Sequence, residues 1–553
     1  MDIVRIGEPS NETHPPELIG AKAANLQRMA ALGLPVPPAF VLPVTLCAAA
    51  VRGDPGVADK LADGLEEGIA FLESATGRRF GDRRRPLLVS VRSGAARSMP
   101  GMLDTVLDVG CTADAVRGLI RTYGDPRFAA DCRRRFLEGY GGVVLGMDGS
   151  AFAGRLQDVV AAEGSGSAQG LDVEALERLV AAYEDVIEQD SHGLAAEPMD
   201  QLKHAADAVY RSWMSERAVV YRRLQHLDDL AGTAVTVQAM VYGNCGSASG
   251  SGVAFSRDPS TGAATPVIDV LFASQGEDVV SGSRTPDTEA AIARSLPAVL
   301  AQLRDALTRL EDEFADVQDV EFTIENGKLW LLQTRAAKRT PQAAARFAID
   351  FVNEGRITPA LALQRLDGID LAALATRRLV DAGTPAARGT GASAGIAVGR
   401  AAFDPAGAVR LAASGDPIIL VRPDTTTADV AGFAVAAGIV TAVGGRRAGS
   451  AADGQALHRR LRRAYRRAGA APRPSRRRGT QRRRLALHRR RGRHRSRRPR
   501  HRGHRAAGRG VAGNRALARK RRPLTLQCSS LRRILPILLF GSAARNAIRC
   551  GAL

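Results

Sequence analysis

Two carboxylates, an amide and a guanidinium stand close together in the sequence, on either side of a turn signal. Asp319 and Glu321 lie in Asp319-Val-Glu-Phe-Thr-Ile-Glu325, and Gln333 and Arg335 in Lys328-Leu-Trp-Leu-Leu-Gln-Thr-Arg335. Oxygen donors of this kind hold Mg²⁺, and an adjacent Arg neutralises phosphate charge. Between the two segments Asn326-Gly327 marks a tight turn, so together they read as a β-hairpin. Strand side chains alternate, which puts Val320, Phe322 and Ile324 on one face and Asp319, Glu321, Thr323 and Glu325 on the other. A plain two-residue turn would set Gln333 opposite Val320, on the wrong face to meet Glu321. A type I turn with a glycine bulge shifts the pairing by one residue, and that bulge is predicted. Taken alone, the pattern favours a plainer description, the solvated polar face of an amphipathic hairpin.

Three other segments carry weaker signals. Gly243-Asn-Cys-Gly-Ser-Ala-Ser-Gly-Ser-Gly252 offers backbone N–H groups that suit phosphates, although most such segments are ordinary loops. Val91-Arg-Ser-Gly-Ala-Ala-Arg-Ser-Met-Pro-Gly101 sets two arginines among small residues at the end of a strand. That suits an anion about as well as it suits a structural loop. Lys22 lies early in an amphipathic helix and, read alone, is a surface lysine.

The elements that must position these residues follow from periodicity. Residues 18–33 read as an amphipathic helix ended by Gly33 and a proline-rich stretch. Leu87 to Ser93 reads as a buried strand, 112–230 as mostly helical, and Val235 to Val241 as an alternating strand. Helices return over 285–316, the hairpin spans 317–335, and a helical connector covers 340–380. Residues 389–445 open a small α/β domain. At 553 residues and 45% hydrophobic, the chain has apolar material for two to four domains. Its net charge of +21 is unevenly spread: residues 1–445 carry −13 and residues 446–553 carry +34. The basicity therefore says nothing about the first 445 residues. None of the six cysteines forms a Cys-x-x-Cys pair, which argues against a zinc or disulfide framework. With no apolar signal core at the start and no stretch of membrane-spanning length, a soluble, reducing, cytoplasmic setting is expected.

Together these segments resemble pyruvate phosphate dikinases. The resemblance rests on Gly20-Ala-Lys22-Ala-Ala-Asn-Leu26 with Gly33-Leu-Pro-Val-Pro-Pro, and on Leu88-Val-Ser-Val-Arg92-Ser-Gly-Ala-Ala-Arg-Ser-Met-Pro-Gly-Met-Leu-Asp104-Thr. Phosphoenolpyruvate synthases share the Val-Arg-Ser opening of the second motif but lack its Ser-Met-Pro-Gly-Met continuation. Val237-Gln-Ala-Met-Val-Tyr-Gly-Asn244, Gly252 to Gly262, Gln275-Gly-Glu-Asp-Val-Val280 and Gln318 to Arg335 extend it across about residues 15 to 445. It implies an α/β (α+β) ATP-grasp domain over 1–340, a helical linker over 341–388 and a partial swivelling β/β/α phosphohistidine domain over 389–445. It further implies ATP bound between two lobes. Lys22 and Arg92 would touch its phosphates, Glu321 and Gln333 would hold Mg²⁺, and Asp319 and Arg335 would complete the site. In the family, ATP pyrophosphorylates a histidine, inorganic phosphate takes one phosphoryl group, and the phosphohistidine converts pyruvate to phosphoenolpyruvate on a separate barrel. A homodimer is compatible with this reading.

The sequence leaves the family pattern after Gly438-Ile-Val-Thr-Ala-Val-Gly-Gly445. Where the family continues Thr-Ser-His-Ala-Ala, this chain continues Arg446-Arg-Ala-Gly-Ser, with Gly449 at the phosphohistidine position. From there to the end, Asp453 is the only acid and Tyr465 and Phe540 the only aromatics. Such a composition cannot bury a core, so a disordered tail over 446–553 is expected. The break falls in mid-motif, which favours out-of-frame translation of a GC-rich gene over a tail that binds nucleic acid non-specifically through charge. The expected outcome is a chain that binds MgATP but does not form the phosphohistidine. The alternatives are another dikinase-type phosphotransferase, such as a phosphoenolpyruvate synthase or an antibiotic phosphotransferase, and a non-enzymatic nucleic-acid binder.

Overall fold

The computed structural model describes residues 3–7, 12–99, 101–189, 193–281, 285–369, 387, 389, 391, 395–423 and 429–442. The second half of the linker, Gly449 and the whole of 446–553 lie outside the described residues. In chain order the strands are β1 (Val4–Ile6), β2 (Ala39–Leu42), β3 (Arg79–Phe80), β4 (Pro86–Leu87), β5 (Val89–Ala95), β6 (Thr105–Val109) and β7 (Thr233–Ala239). There follow β8 (Gly250–Phe255), β9 (Val267–Phe272), β10 (Asp287–Thr288), β11 (Gln318–Glu325) and β12 (Lys328–Ala336). The last three are β13 (Arg400–Ala402), β14 (Ile418–Arg422) and β15 (Gly438–Thr441).

They build two antiparallel five-stranded sheets, ordered β1-β2-β7-β5-β6 and β10-β9-β8-β11-β12. The short pair β3–β4 stands apart from both. Helices Ala113–Tyr123, Pro126–Val143, Gly149–Glu163, Val173–Glu188, Pro198–Arg211 and Glu216–Gln225 fill the span expected to be helical, and the buried ones pack on the first sheet. A second core joins the two sheets. It takes Ile19, Ala23, Leu26 and Met29 from helix Pro16–Ala31, Leu303, Leu307 and Leu310 from helix Pro297–Phe314, and Val320, Phe322 and Ile324 from β11. The apolar face assigned to β11 is thus fully buried, and this is what holds its polar face toward the first sheet. Helices Pro341–Asn353 and Pro359–Leu366 form the described part of the connector. The small third sheet, β13-β14-β15, is parallel.

Helix Pro16–Ala31 contains a left-handed residue, Gly20, at φ 78°. A β-carbon there would lie 2.1 Å from the Gly94 carbonyl oxygen of β5. Glycine at this point lets the helix press directly against the strand that carries Arg92.

The hairpin register corrects the expected turn. Glu325 pairs with Lys328 around a plain two-residue loop, and both Asn326 (φ 49°) and Gly327 (φ 76°) have positive φ, as a type I′ turn requires. The bulge lies instead in mid-strand: Phe322 faces Leu331 whereas Glu321 faces Gln333, leaving Leu332 as the extra residue. The pairing expected for Glu321 and Gln333 is present, produced by a different device. Asn-Gly satisfies the turn without strain, so the slip is taken up where Arg92 and the proline-rich segment meet β12.

Candidate functional site

Five of the six candidate side chains come together where β5 of the first sheet meets β11 and β12 of the second. Arg92 projects from β5, and its Nη2 lies 3.5 Å from Gln333 Oε1 and 3.7 Å from Glu321 Oε2. Gln333 Nε2 lies 3.3 Å from Glu321 Oε1, so one amide joins the guanidinium to the carboxylate. Arg335 Nε donates to Asp319 Oδ2 at 2.9 Å, and that aspartate is only 3% exposed. The sixth, Lys22, sits two residues beyond Gly20 on the helix pressed to β5. Its helix is tied to β12 by Asn25, whose Nδ2 donates to the Thr334 carbonyl at 2.8 Å.

Lys22 is electrostatically part of the cluster. Its ammonium is pushed down to about 8, first by burial and then by Arg92 and Arg335; Glu321 opposes the shift. Lys22, Arg92 and Arg335 thus set three cationic side chains beside the carboxylates of Asp319 and Glu321. Burial is the first cause of the shift and the two guanidiniums add to it, so an anion beside the ammonium would raise it again.

The solvated-face description of the hairpin does not hold. Asp319, Thr323 and Gln333 are buried and Glu321 is partly buried. The glycine-rich segment is spoken for at several points. Asn244 Nδ2 donates to Asp131 Oδ2 at 2.9 Å, the Ser249 hydroxyl accepts from Asn326 N at 2.9 Å, and the Ala248 carbonyl accepts from Gly327 N at 2.9 Å. It braces the hairpin turn, and its last three residues already belong to β8.

Sequence reasoning passed over two groups that touch Arg92. Nη1 lies 3.4 Å from the Leu332 carbonyl, at the bulge, and 3.4 Å from Gln238 Oε1 on β7. The backbone group had no sequence signal. Gln238 had one: it is a lone amide in the buried run Val235-Thr-Val-Gln-Ala239 of a central strand.

Two sheets of this topology, meeting at a phosphate-suited cluster of Lys, Arg, carboxylate and amide, define an α/β nucleotide-binding protein of ATP-grasp type. The chain belongs to the pyruvate phosphate dikinase family: the family model "Pyruvate phosphate dikinase, AMP/ATP-binding domain" matches residues 56–302 and 293–355. A second model, "PEP-utilising enzyme, mobile domain", matches residues 415–457. Pyruvate, phosphate dikinase of Rhizobium meliloti (strain 1021) is 40% identical over 461 residues, covering 79% of this chain and 51% of the relative. The protein of that name from Clostridium symbiosum is 40% identical over 77% of this chain and 50% of its own length. The chloroplastic one from Flaveria trinervia is 40% identical over 77% and 45%. The chain therefore spans about half the length of the curated relatives it matches. Among the described residues no helix is long and apolar enough to cross a membrane.

Proposed function

We propose that this chain binds MgATP between its two five-stranded sheets and is the nucleotide-binding half of a pyruvate, phosphate dikinase. The observation that carries the reading is the convergence of Arg92, Glu321, Gln333, Arg335 and Asp319, with Lys22 within their electrostatic reach. Lys22, Arg92 and Arg335 neutralise the polyphosphate, and Asp319 orients Arg335 through its Nε–H. Charge neutralisation and positioning are what phosphoryl transfer asks of such a site.

The donor set fits Mg²⁺. Among the described residues no three His, Cys, Asp or Glu side chains gather as a metal cage. Mg²⁺ is commonly held by one or two protein oxygens, with substrate phosphates and water completing the octahedron. Glu321 and the Gln333 carbonyl oxygen would hold it, and the ion would supply charge neutralisation at the phosphates. ATP is the nucleotide substrate; phosphate and pyruvate are substrates of the whole enzyme.

The domain division that accompanies this reading is ATP-grasp over 1–340, linker over 341–388, partial swivelling domain over 389–445 and arginine-rich tail over 446–553. Gly449 occupies the phosphohistidine position, so ATP is bound without its phosphoryl groups being handed on. The test is calorimetric titration of the full chain with ATP in Mg²⁺, alongside incubation with ATP labelled in its β-phosphate. Saturable binding that Arg92→Ala weakens, with no acid-labile label on the protein, is the expected result. No binding, or binding indifferent to Arg92→Ala, would overturn the nucleotide reading; a labelled histidine would overturn the loss of transfer.

A further inference from the structure

Gln238 is a buried side chain on a central strand, only 2% exposed, with both ends of its amide engaged. Nε2 donates to the Pro37 carbonyl at 3.1 Å. A carbonyl only accepts, so the NH₂ end must face Pro37 and the oxygen end must face Arg92, whose Nη1 stands 3.4 Å away. The direction of the amide is therefore set by the backbone of the proline-rich segment.

That segment is itself anchored to both sheets. The Pro38 carbonyl accepts from Ala239 N of β7 at 2.9 Å, and the Pro35 carbonyl accepts from Leu331 N of β12 at 2.8 Å. Leu331 immediately precedes the bulge residue, and the carbonyl of that residue, Leu332, is the other group contacting Arg92 Nη1. One edge of the guanidinium is thus lined by two oxygens whose positions trace back to residues 35–38. Nη2 is left toward Glu321 and Gln333.

We propose that Gln238 is a positioning residue for Arg92: it holds Nη1 so that Nη2 points into the cleft where phosphate binds. The inference rests on the MgATP reading above. Gln238 acts through Arg92, so its loss should be felt by a nucleotide with terminal phosphates and not by one without them.

The test uses the full chain. MgATP and AMP are titrated against the parent, Gln238→Met, Arg92→Ala and the double variant, with thermal melting as a check on folding. Gln238→Met is expected to weaken ATP about tenfold, the scale of a lost hydrogen bond to a charged group, with AMP changed less than about twofold. In the Arg92→Ala background the same substitution should have no further effect, because acting through one group makes the losses non-additive. Should Gln238→Met fail to fold, Gln238→Asn replaces it. Its amide can satisfy Pro37 but is one methylene too short to span both partners, and the same ATP-selective loss is expected. Equal losses of ATP and AMP, additivity with Arg92→Ala, or ATP binding like the parent would each overturn the proposal alone. A parent that binds no ATP overturns the functional reading and this inference with it.

Discussion

Glu321 faces Gln333 across the hairpin, with Gln333 Nε2 3.3 Å from Glu321 Oε1, because Leu332 is an extra residue between Leu331 and Gln333. The bulge does two things at once. It brings the amide onto the carboxylate's face, and it turns the Leu332 carbonyl toward Arg92.

The first prediction concerns that carboxylate. Glu321→Gln keeps the size and an oxygen but removes the charge that a divalent ion requires. The Mg²⁺ concentration needed for half-maximal ATP binding should rise about tenfold, roughly 1.4 kcal/mol. Binding of metal-free ATP should not weaken. Titrations of ATP at stepped Mg²⁺ concentrations measure both, and an unchanged Mg²⁺ midpoint would remove Glu321 from the metal site.

Lys22 predicts a pH dependence. Its folded-state pKa of about 8 lies below its ordinary 10.5, chiefly through burial and then Arg92. Between those values the unfolded chain binds a proton that the folded protein without nucleotide does not, so stability should rise with pH from about 8 to 10.5. Bound polyphosphate favours the ammonium. ATP affinity should be level below pH 8 and fall above it, by at most about tenfold per unit. Calorimetry from pH 6.5 to 9.5 in buffers of different ionisation enthalpy would show proton uptake on the alkaline side. Lys22→Met should bind weakly with a flat profile, and a flat profile in the parent would contradict the assignment.

Asp108 behaves in the opposite sense. It is fully buried at φ 55°, neither carboxylate oxygen has a hydrogen-bond partner, and its pKa is pushed up to about 8. Burial is the main cause, followed by Glu277; Asp131 adds to the shift, and Arg135 and Arg134 oppose it. Here the fold keeps a proton that the unfolded chain releases near pH 4, so this residue costs stability progressively as pH rises from about 4 to 8. Asp108→Asn removes that slope. At pH 7.5 the variant should be more stable than the parent by up to about 5 kcal/mol, and the two should converge near pH 4. Denaturant unfolding at several pH values decides it; a less stable variant at pH 7.5 would mean the carboxylate is ionised and paired.

Gly20→Ala tests the contact between the first helix and β5. The added carbon would meet the Gly94 carbonyl at 2.1 Å, and the residue would be held at φ 78°. A loss of roughly 3 kcal/mol is expected from overpacking and left-handed strain together. Because Lys22 follows two residues later, ATP affinity should fall as well. A thermal melt matching the parent would show that the helix can lift off the strand at little cost.

Much of this was legible in the residues. The first helix (read at 18–33, found at Pro16–Ala31), the helical span after 112, the β11–β12 hairpin and its buried face follow from periodicity, because the 3.6- and 2-residue repeats are local properties of the chain. The motifs around Lys22, Arg92, Glu321 and Gln333 were equally legible, since they are contiguous strings. The location of the bulge was not. A turn signal reports only its own four residues, and the slip at Leu332 answers to Arg92 and Pro35, some 240 and nearly 300 residues away. The bracing role of the glycine-rich segment was hidden for the same reason, as its partners lie in the β11–β12 turn and on helix Pro126–Val143.

By itself, then, the sequence determined the family, the two-sheet nucleotide-binding class and the six candidate residues, along with the change of composition after residue 445. Those are matters of order and type along one chain. Only the tertiary structure decided that five of the six share one cluster, that burial and two guanidiniums press on Lys22, and that Gln238 and the Leu332 carbonyl flank Arg92. Such facts depend on through-space distance and on exclusion of water. Both are created when strands far apart in sequence are brought together, and neither is written in any local stretch of residues.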